Sequence, residues 1–419
     1  MKNILRSPHL QARIGLGLVA LLAGLGTTHA QLNIPSDGSD GELKITEGMT
    51  PLPTNITQVT VTNVVNQITN IVHETVLDLG MAATGPWDAN NTANLGMGVY
   101  DSNKWAVVFK YSSVTIAKGV RLTFKNHPSR APVVWLVQSN VVIEGTVDLS
   151  GKVNGPGQVE LAIPSEPGPG GFRGGAWGPS GQGAGFGISP RQYRSTYGNP
   201  EIIPLLGGSG GTAYSQGHGA SHSAAGGGAI LIAAGQKVTL NGQLLSKPGS
   251  GFAPHAAAGG AVKIIAHELD GDGRIDAEPE GRTRIEVMTN GVSKGLQIFP
   301  NTANVPPIGT PTIWPPATVP TVRVVSVNAA KVNKDPEARV DTQSDLLIGS
   351  NSPVDILMES SNLPIQGTVR LRVAPKYDYW GTVWHTATYV GGDINQATWR
   401  VTTTLPPGFT VLQARATAP

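Results

Sequence analysis

Four segments of the chain repeat one pattern of apolar and polar positions: an apolar run, a short polar turn, a glycine, and a second apolar run. They are Ala106–Lys125, Pro132–Gly151, Gly228–Lys247 and Gly260–Ala277, with central glycines Gly119, Gly145, Gly242 and Gly273. After the glycine the pattern alternates. Val147 and Leu149 flank Asp148, and Ile275 and Ala277 flank Asp276, so one set of side chains enters a core and the other meets water. The glycines recur after 26 residues (Gly119 to Gly145) and 31 residues (Gly242 to Gly273), about one coil of a parallel β-helix. Such a fold stacks copies so that each buries its apolar side against its neighbours. The first copy departs from the pattern: Val120, Leu122 and Phe124 fall one position out of phase. The glycine itself predicts a turn conformation that a side chain would resist.

Other patterns flank these copies. Asn55–Val76 mixes Val, Ile and Thr in partial alternation and predicts an extended strand or strand pair, as an extra coil or N-terminal cap. An oligomerisation stalk is the alternative, because Thr and Asn alternating with Val and Ile suit an intertwined β-bundle. Residues 152–227 form a glycine-rich insertion too long for an ordinary loop, with too few side chains for a core of its own. Residues 299–320 are rich in proline and read as a semi-rigid linker. Beyond it, short strand-like runs such as Val354–Ser360, Thr368–Ala374 and Ala397–Thr403 predict an immunoglobulin-like sandwich over residues 321–419.

Composition agrees with an all-β chain. Its 54 glycines and 32 prolines favour strands and turns, and the absence of cysteine excludes disulfides, thiolate metal sites and a cysteine nucleophile. Lys2, Arg6 and Arg13 precede an apolar stretch at Ile14–Leu25 and a small-residue site at Thr28–Ala30, so residues 1–30 read as a signal peptide. The stretch is short for a membrane helix, and no transmembrane span is expected in the mature chain. The chain holds 30 Lys and Arg against 28 Asp and Glu, and removing the leader's three bases leaves 27 against 28. Nucleic acid is therefore not an expected partner. The expected location is extracellular, the outer cell surface or the periplasm.

The sequences DGSDG, KWAVVFKYSSVTI, NHPSRAPVVWLV, PGPGGFRGG, GGGAILIAA and GGAVKIIA resemble a group of uncharacterised, secreted, glycine-rich bacterial proteins. The resemblance covers about residues 36–290. It implies a right-handed parallel β-helix for residues 31–298, with no activity and no catalytic residue to carry over. The Val/Thr/Asn stretch departs from the simplest form of that pattern.

Candidate chemistry is sparse. Asp148 and Asp276 occupy matching positions with Leu245 between them, so direct stacking would set them about 9–10 Å apart at strand spacing. That is near the upper limit of about 9.5 Å for the acid and base of an inverting glycosidase. Leu245 and the insertion argue against this pairing. Asp270, Asp272 and Asp276 are spaced like calcium ligands but lack the full loop and its terminal Glu. A Gly/Asp turn accounts for them without metal, as it does for Asp37 and Asp40. No cofactor is expected, calcium being the one ion the pattern leaves open. His218, His222 and His255 lie on glycine-rich loops and would ligate a metal only if folding gathers them. In the C-terminal part Tyr377, Tyr379, Trp380, Trp384 and Tyr389 form an aromatic cluster. Tyr379, Trp380 and Trp384 are the candidates for stacking on sugars, and core packing is the plainer use of such residues.

The expected function is a secreted, non-catalytic structural or adhesin-like protein, with polysaccharides or cell-surface components as partners. A polysaccharide lyase or glycoside hydrolase on the β-helix is one alternative, and a glycan-binding protein without turnover is the other.

Overall fold

The computed structural model describes residues 32–65, 68–88, 94, 96–152, 165–174, 201–211, 224–249, 257–288, 292–307, 311–314, 318–332, 346–349, 353–375, 383–408 and 410–419. Their regular structure is all β apart from one 3-10 turn, Leu79–Met81. Each of the four copies supplies one strand to each of three sheets. Ala106–Tyr111, Val133–Val137, Ala229–Ala234 and Ala261–Ala266 lie parallel in one sheet. Ser113–Ile116, Val141–Ile143, Lys237–Leu240 and Glu268–Asp270 lie parallel in the second. Arg121–Lys125, Thr146–Asp148, Gln243–Leu245 and Arg274–Asp276 lie parallel in the third. Arg282–Val287 and Gln297–Phe299 extend the first and third sheets by one more strand.

Registration is without offset, so like residues form columns. Val114, Val141, Val238 and Leu269 stack in one column. Phe109, Trp135, Ile232, Ile264 and Ile285 stack in another, and Leu122, Val147, Leu244, Ile275 and Ile298 in a third. These columns belong to one core cluster enclosed by the three sheets. The register also explains the first copy. Leu122 stands opposite Val147, so its strand is in phase and the glycine is displaced by one residue. Copies two and three pair directly in all three sheets, and the insertion adds no strand between them.

The central glycines serve two different purposes. Gly119 has φ +86°, the left-handed turn that a Cβ disfavours. Gly145, Gly242 and Gly273 have no such angle. Each instead lies against backbone of the preceding copy: a Cβ on Gly242 would overlap the Gly145 carbonyl, and one on Gly273 the Gly242 carbonyl. Only glycine permits that approach, so the turn reading holds for the first copy and close stacking replaces it in the other three.

The insertion obeys the same constraint. Its described parts include 165–174, which carries a turn at Gly168–Gly171, 201–211 and 224–227, and these lie against 257–260 as irregular segments that are not strands. The N–H groups of Gly226, Gly227 and Gly228 donate in succession to the carbonyls of Phe172, Ala258 and Leu149, at 2.9, 3.0 and 2.8 Å. Phe172 in turn donates to Gly208, and Gly208 to Gly227, at 3.0 and 2.8 Å. Donors that turn to a new neighbour at each residue suit a chain with three residues per turn rather than a pleated strand. Gly168, Gly226 and Gly260 leave no room for a Cβ against neighbouring carbonyls. The described parts of the insertion thus form a largely buried layer of bonded backbone. Side chains are too few for a hydrophobic core, and peptide groups supply the cohesion instead.

The hairpin Ile56–Val65/Ile68–Asp78 joins the third sheet only through Thr75–Asp78, which runs parallel to Leu122–Lys125. The predicted strand pair is therefore present, with most of its length beyond the sheet. In the C-terminal part, Thr321–Val327, Val354–Ser361, Ala397–Thr403 and Thr388–Gly392 form an antiparallel sheet, edged also by Ala330–Lys331. Val383–Thr386, Thr368–Pro375 and Thr410–Thr417 form a second. Ile356, Met358, Trp399 and Val401 of one share a core with Val369, Leu371 and Val373 of the other.

Gly242→Ala must displace backbone, and its cost is expected to exceed the roughly 1–3 kcal/mol of ordinary overpacking. Gly41→Ala, at φ +76° with open space around it, should cost only about 1–2 kcal/mol from backbone conformation. Denaturant unfolding of the two variants measures the difference.

Candidate functional site

A catalytic groove on a stacked fold needs an open wall lined by charged side chains. The wall beneath the insertion is the outer face of the first sheet, where Val108, Val134 and Leu231 form one column and Leu136, Ala233 and Ile265 another. Three separate stretches cover it: Leu32 and Ile34, Ile202 and Leu205, and Ile313, with Trp87 and Trp314 packed alongside. The wall is a second core. Ile313 and Trp314 belong to the proline-rich stretch, which is here seated on the sheet. Asn304 also bridges Ile285, and its side chain accepts from Val287 N–H at 2.9 Å.

Charge enters this face at one end. Lys263 stands in column with Leu231 and is 2% exposed. Its Nζ lies 3.3 Å from Glu286 Oε1 and donates to the carbonyls of Glu201 and Thr312 at 3.2 and 3.4 Å. Arg284 Nε donates to the same Glu286 oxygen at 2.9 Å. Burial pushes the Lys263 ammonium below the usual lysine range despite the attraction of Glu286. Lys263 thereby ties two of the three covering stretches to the sheet. The sequence reading passed over this cluster, although a lone lysine in the apolar run GAVKIIA is a visible sign of a buried charge.

Asp148 and Asp276 fall in one column of the third sheet with Leu245 between them, as their spacing suggested. Each is engaged on its own turn. Asp148 accepts from Ser150 N–H at 2.8 Å and pairs with Arg121. Asp276 accepts from Glu278 N–H at 3.1 Å, and from Arg274 and Lys247 at 2.7 and 3.2 Å. Burial pushes the Asp276 carboxyl up, and the Arg274, Glu278 and Lys247 bonds more than offset it, so it lies below the usual carboxylate range. Both side chains cap the turn that follows their strand. Asp276, low-lying and ion-paired, is suited to holding that turn and poorly suited to proton donation at neutral pH.

The Gly/Asp turn is likewise occupied by protein. Asp270 Oδ2 accepts from Lys237 Nζ at 2.6 Å, and this bond holds its carboxyl below the usual range. Asp272 sits in the turn between Gly271, at φ +120°, and Gly273. Asp37 accepts from Ser39 N–H at 3.0 Å, and Asp40 from Lys110 and Gly98 N–H at 2.7 and 3.2 Å. Among the described residues no three His, Cys, Asp or Glu gather as a metal cluster. His218, His222 and His255 lie outside the described residues, as do Tyr377, Tyr379 and Trp380.

Trp384 is the candidate sugar-stacking residue whose position is described. It lies on the edge strand Val383–Thr386 and is 36% exposed, with the Arg370 guanidinium 5.3 Å from its ring centre. The chain then leaves that sheet at Ala387 and enters the other at Thr388–Gly392, where Tyr389 and Val390 are exposed. Tyr389 bonds the Gly392 carbonyl at 2.7 Å and packs edge-on to Trp399. The two sheet edges at this switch thus carry the exposed apolar side chains Val383, Trp384, Tyr389 and Val390.

Comparison with protein-family models, curated proteins and solved structures finds no match to the chain.

Two substitutions on the covered wall should differ. Glu286→Leu leaves Lys263 and Arg284 without their shared carboxylate and is expected to cost about 3–5 kcal/mol. Lys263→Met leaves Glu286 paired with Arg284 but removes the donor to the Glu201 and Thr312 carbonyls, and should cost less, about 1–3 kcal/mol in thermal unfolding. For Asp276, a carboxyl depressed by folding contributes stability fully present above the ordinary value near 3.8. That contribution is lost as pH falls through the lower folded value. Asp276→Asn is therefore expected to flatten the acid limb of the stability profile below about pH 4, read from unfolding midpoints across pH.

Proposed function

We propose that this chain is an exported, non-catalytic structural or adhesin-like component. In this reading residues 31–298 form a short right-handed parallel β-helix and residues 321–419 an immunoglobulin-like sandwich. One observation carries it: the wall beneath the insertion, where a polysaccharide-processing site would be shaped, is filled by apolar side chains and a tethering lysine. The engagement of Asp148 and Asp276 in ion pairs and turn caps points the same way. Three columns of in-register strands and a bonded glycine layer make a stiff support, and stiffness is what a surface or matrix component requires of its body.

The exposed Trp384 with its neighbours at the sheet switch favours one refinement: contact with neutral glycans or other cell-surface components through the C-terminal sandwich. Its ring offers a flat apolar face at the surface, the feature that stacks on a sugar ring. The experiment is a screen of the protein against neutral and acidic polysaccharides, scoring binding and cleavage separately. Binding without cleavage, reduced at least about tenfold by Trp384→Ala and unchanged by Asp148→Asn with Asp276→Asn, is the expected outcome. Cleavage abolished by either aspartate substitution would overturn the non-catalytic reading. Binding indifferent to Trp384→Ala would remove the aromatic patch from it.

A further inference from the structure

Exposed strand edges invite pairing with other chains, and folded proteins protect them by shortness, charge, proline or bulges. Nearly all the described edges here are protected. In the second sheet Glu42–Ile45 and Glu268–Asp270 are short and charged. In the first, Arg282–Val287 carries Arg282, Arg284 and Glu286, and Ala83–Thr84 has two residues. Gln297–Phe299 has three residues and runs into Pro300. In the C-terminal part Ala330–Lys331 and Val383–Thr386 are short, Thr388–Gly392 is bulged, and Thr410–Thr417 carries Arg415.

One edge breaks this rule. Ile56–Val65, the outermost strand of the third sheet, is ten residues long. Its sequence ITQVTVTNVV contains no charge and no proline, and its ladder to Ile68–Leu77 is regular over ten pairs with no bulge. Thr57, Gln58, Val59 and Thr60 are exposed, Val59 at 45%. Only the last four residues of the hairpin join the body, so most of its length is a two-stranded ribbon, which is marginally stable by itself in water. A ribbon of this kind is complete when another strand satisfies its open row of N–H and C=O groups.

We infer that the open edge of Ile56–Val65 pairs antiparallel with the same strand of a second copy of this chain, giving a two-fold dimer with a continuous four-stranded sheet. Self-pairing is the arrangement the residues fit. A two-fold axis sets residue i of one strand against residue j of its copy, so a charge near the axis would meet its like across the ladder, and a strand without charge pairs with its copy in any register free of that repulsion. This strand carries none, while the other long edges do. An uncharged edge also offers no attraction to an acidic or basic partner. Ten residues span about 34 Å, and their pairing supplies about ten backbone hydrogen bonds across the axis.

The chain has no cysteine, so a single introduced thiol forms a disulfide only with its counterpart in another copy. Thr60, near the middle of the strand, lies close to the axis of such a dimer; Lys118, exposed on a turn of the first copy, serves as the control. The purified protein is expected to sediment at twice the monomer mass from 1 to 100 μM. Under mild oxidation Thr60→Cys should cross-link to more than about 80% dimer and Lys118→Cys to less than about 10%. Thr57→Lys with Val59→Lys should shift the unsubstituted dimer to monomer without moving the unfolding midpoint of the body. A monomer at 100 μM, a stoichiometry other than two, equal cross-linking of both cysteine variants, or a lysine variant that stays dimeric would each overturn the inference. If the lysine variant fails to fold, the cross-linking result decides.

Discussion

The fold depends on how closely one stretch of backbone can lie on another. Gly145, Gly242 and Gly273 form a column in which each residue meets the backbone of the preceding copy where a Cβ would stand. That contact lets the second and third sheets meet at a tight corner while like residues remain in register. The insertion extends the same constraint sideways. At Gly168, Gly226 and Gly260 neighbouring carbonyls occupy the space of a side chain, and the N–H groups so enclosed are bonded to other carbonyls close by, those of Gly226, Phe172 and Ser246. Close approach and hydrogen bonding are one condition here. A buried peptide group without a partner costs more than a glycine core can return through apolar contact.

Charge is placed where this packing leaves room for it. Arg121 with Asp148, and Arg274 and Lys247 with Asp276, sit at strand ends and fasten turns. Glu166 does the same for the insertion. It accepts from Arg130 at 3.0 Å and Arg173 at 2.9 Å, and from Asn126 at 2.8 Å, joining the first glycine segment to the turn that precedes the second copy. Burial raises the Glu166 carboxyl, and the two guanidiniums with Asn126 bring it below the usual range. Lys263 with Glu286 and Arg284 is the buried case, and it holds two covering segments at once. Each of these carboxylates has a cationic partner from the protein itself, which is why they are read as fasteners in the proposed function.

Much of the architecture was legible beforehand. The alternation around Asp148 and Asp276 gave Val147 and Ile275 as core, although the two aspartates it set in water are buried beside their ion partners, and the shared placement of Asp148, Leu245 and Asp276 gave their column. Asn55–Val76 was legible as a strand or strand pair because Val, Ile and Thr dominate it in partial alternation. The role of the insertion was not legible. Glycine has no side chain to reveal periodicity, and its hydrogen-bond partners lie in segments far along the chain. Nor was the covered wall: Ile202 and Leu205 lie in the short run IIPLL and Ile313 stands beside Trp314, both too short to show a period in their glycine- and proline-rich surroundings, and only their convergence on one sheet makes them a core.

The sequence by itself determined the local grammar: which residues alternate, where the copies begin and end, and that side chains must be missing at particular corners. It determined these because period and side-chain size are properties of neighbouring residues. Tertiary structure decided what those corners touch, that copies two and three stack directly across an insertion of 76 residues, and which charged groups are enclosed. Those outcomes depend on contacts between segments distant in sequence, where one residue's freedom is set by another's carbonyl. The same glycine can mark a left-handed turn or a site of close approach. Gly119 and Gly242 differ in backbone conformation and in what the fold brings against them.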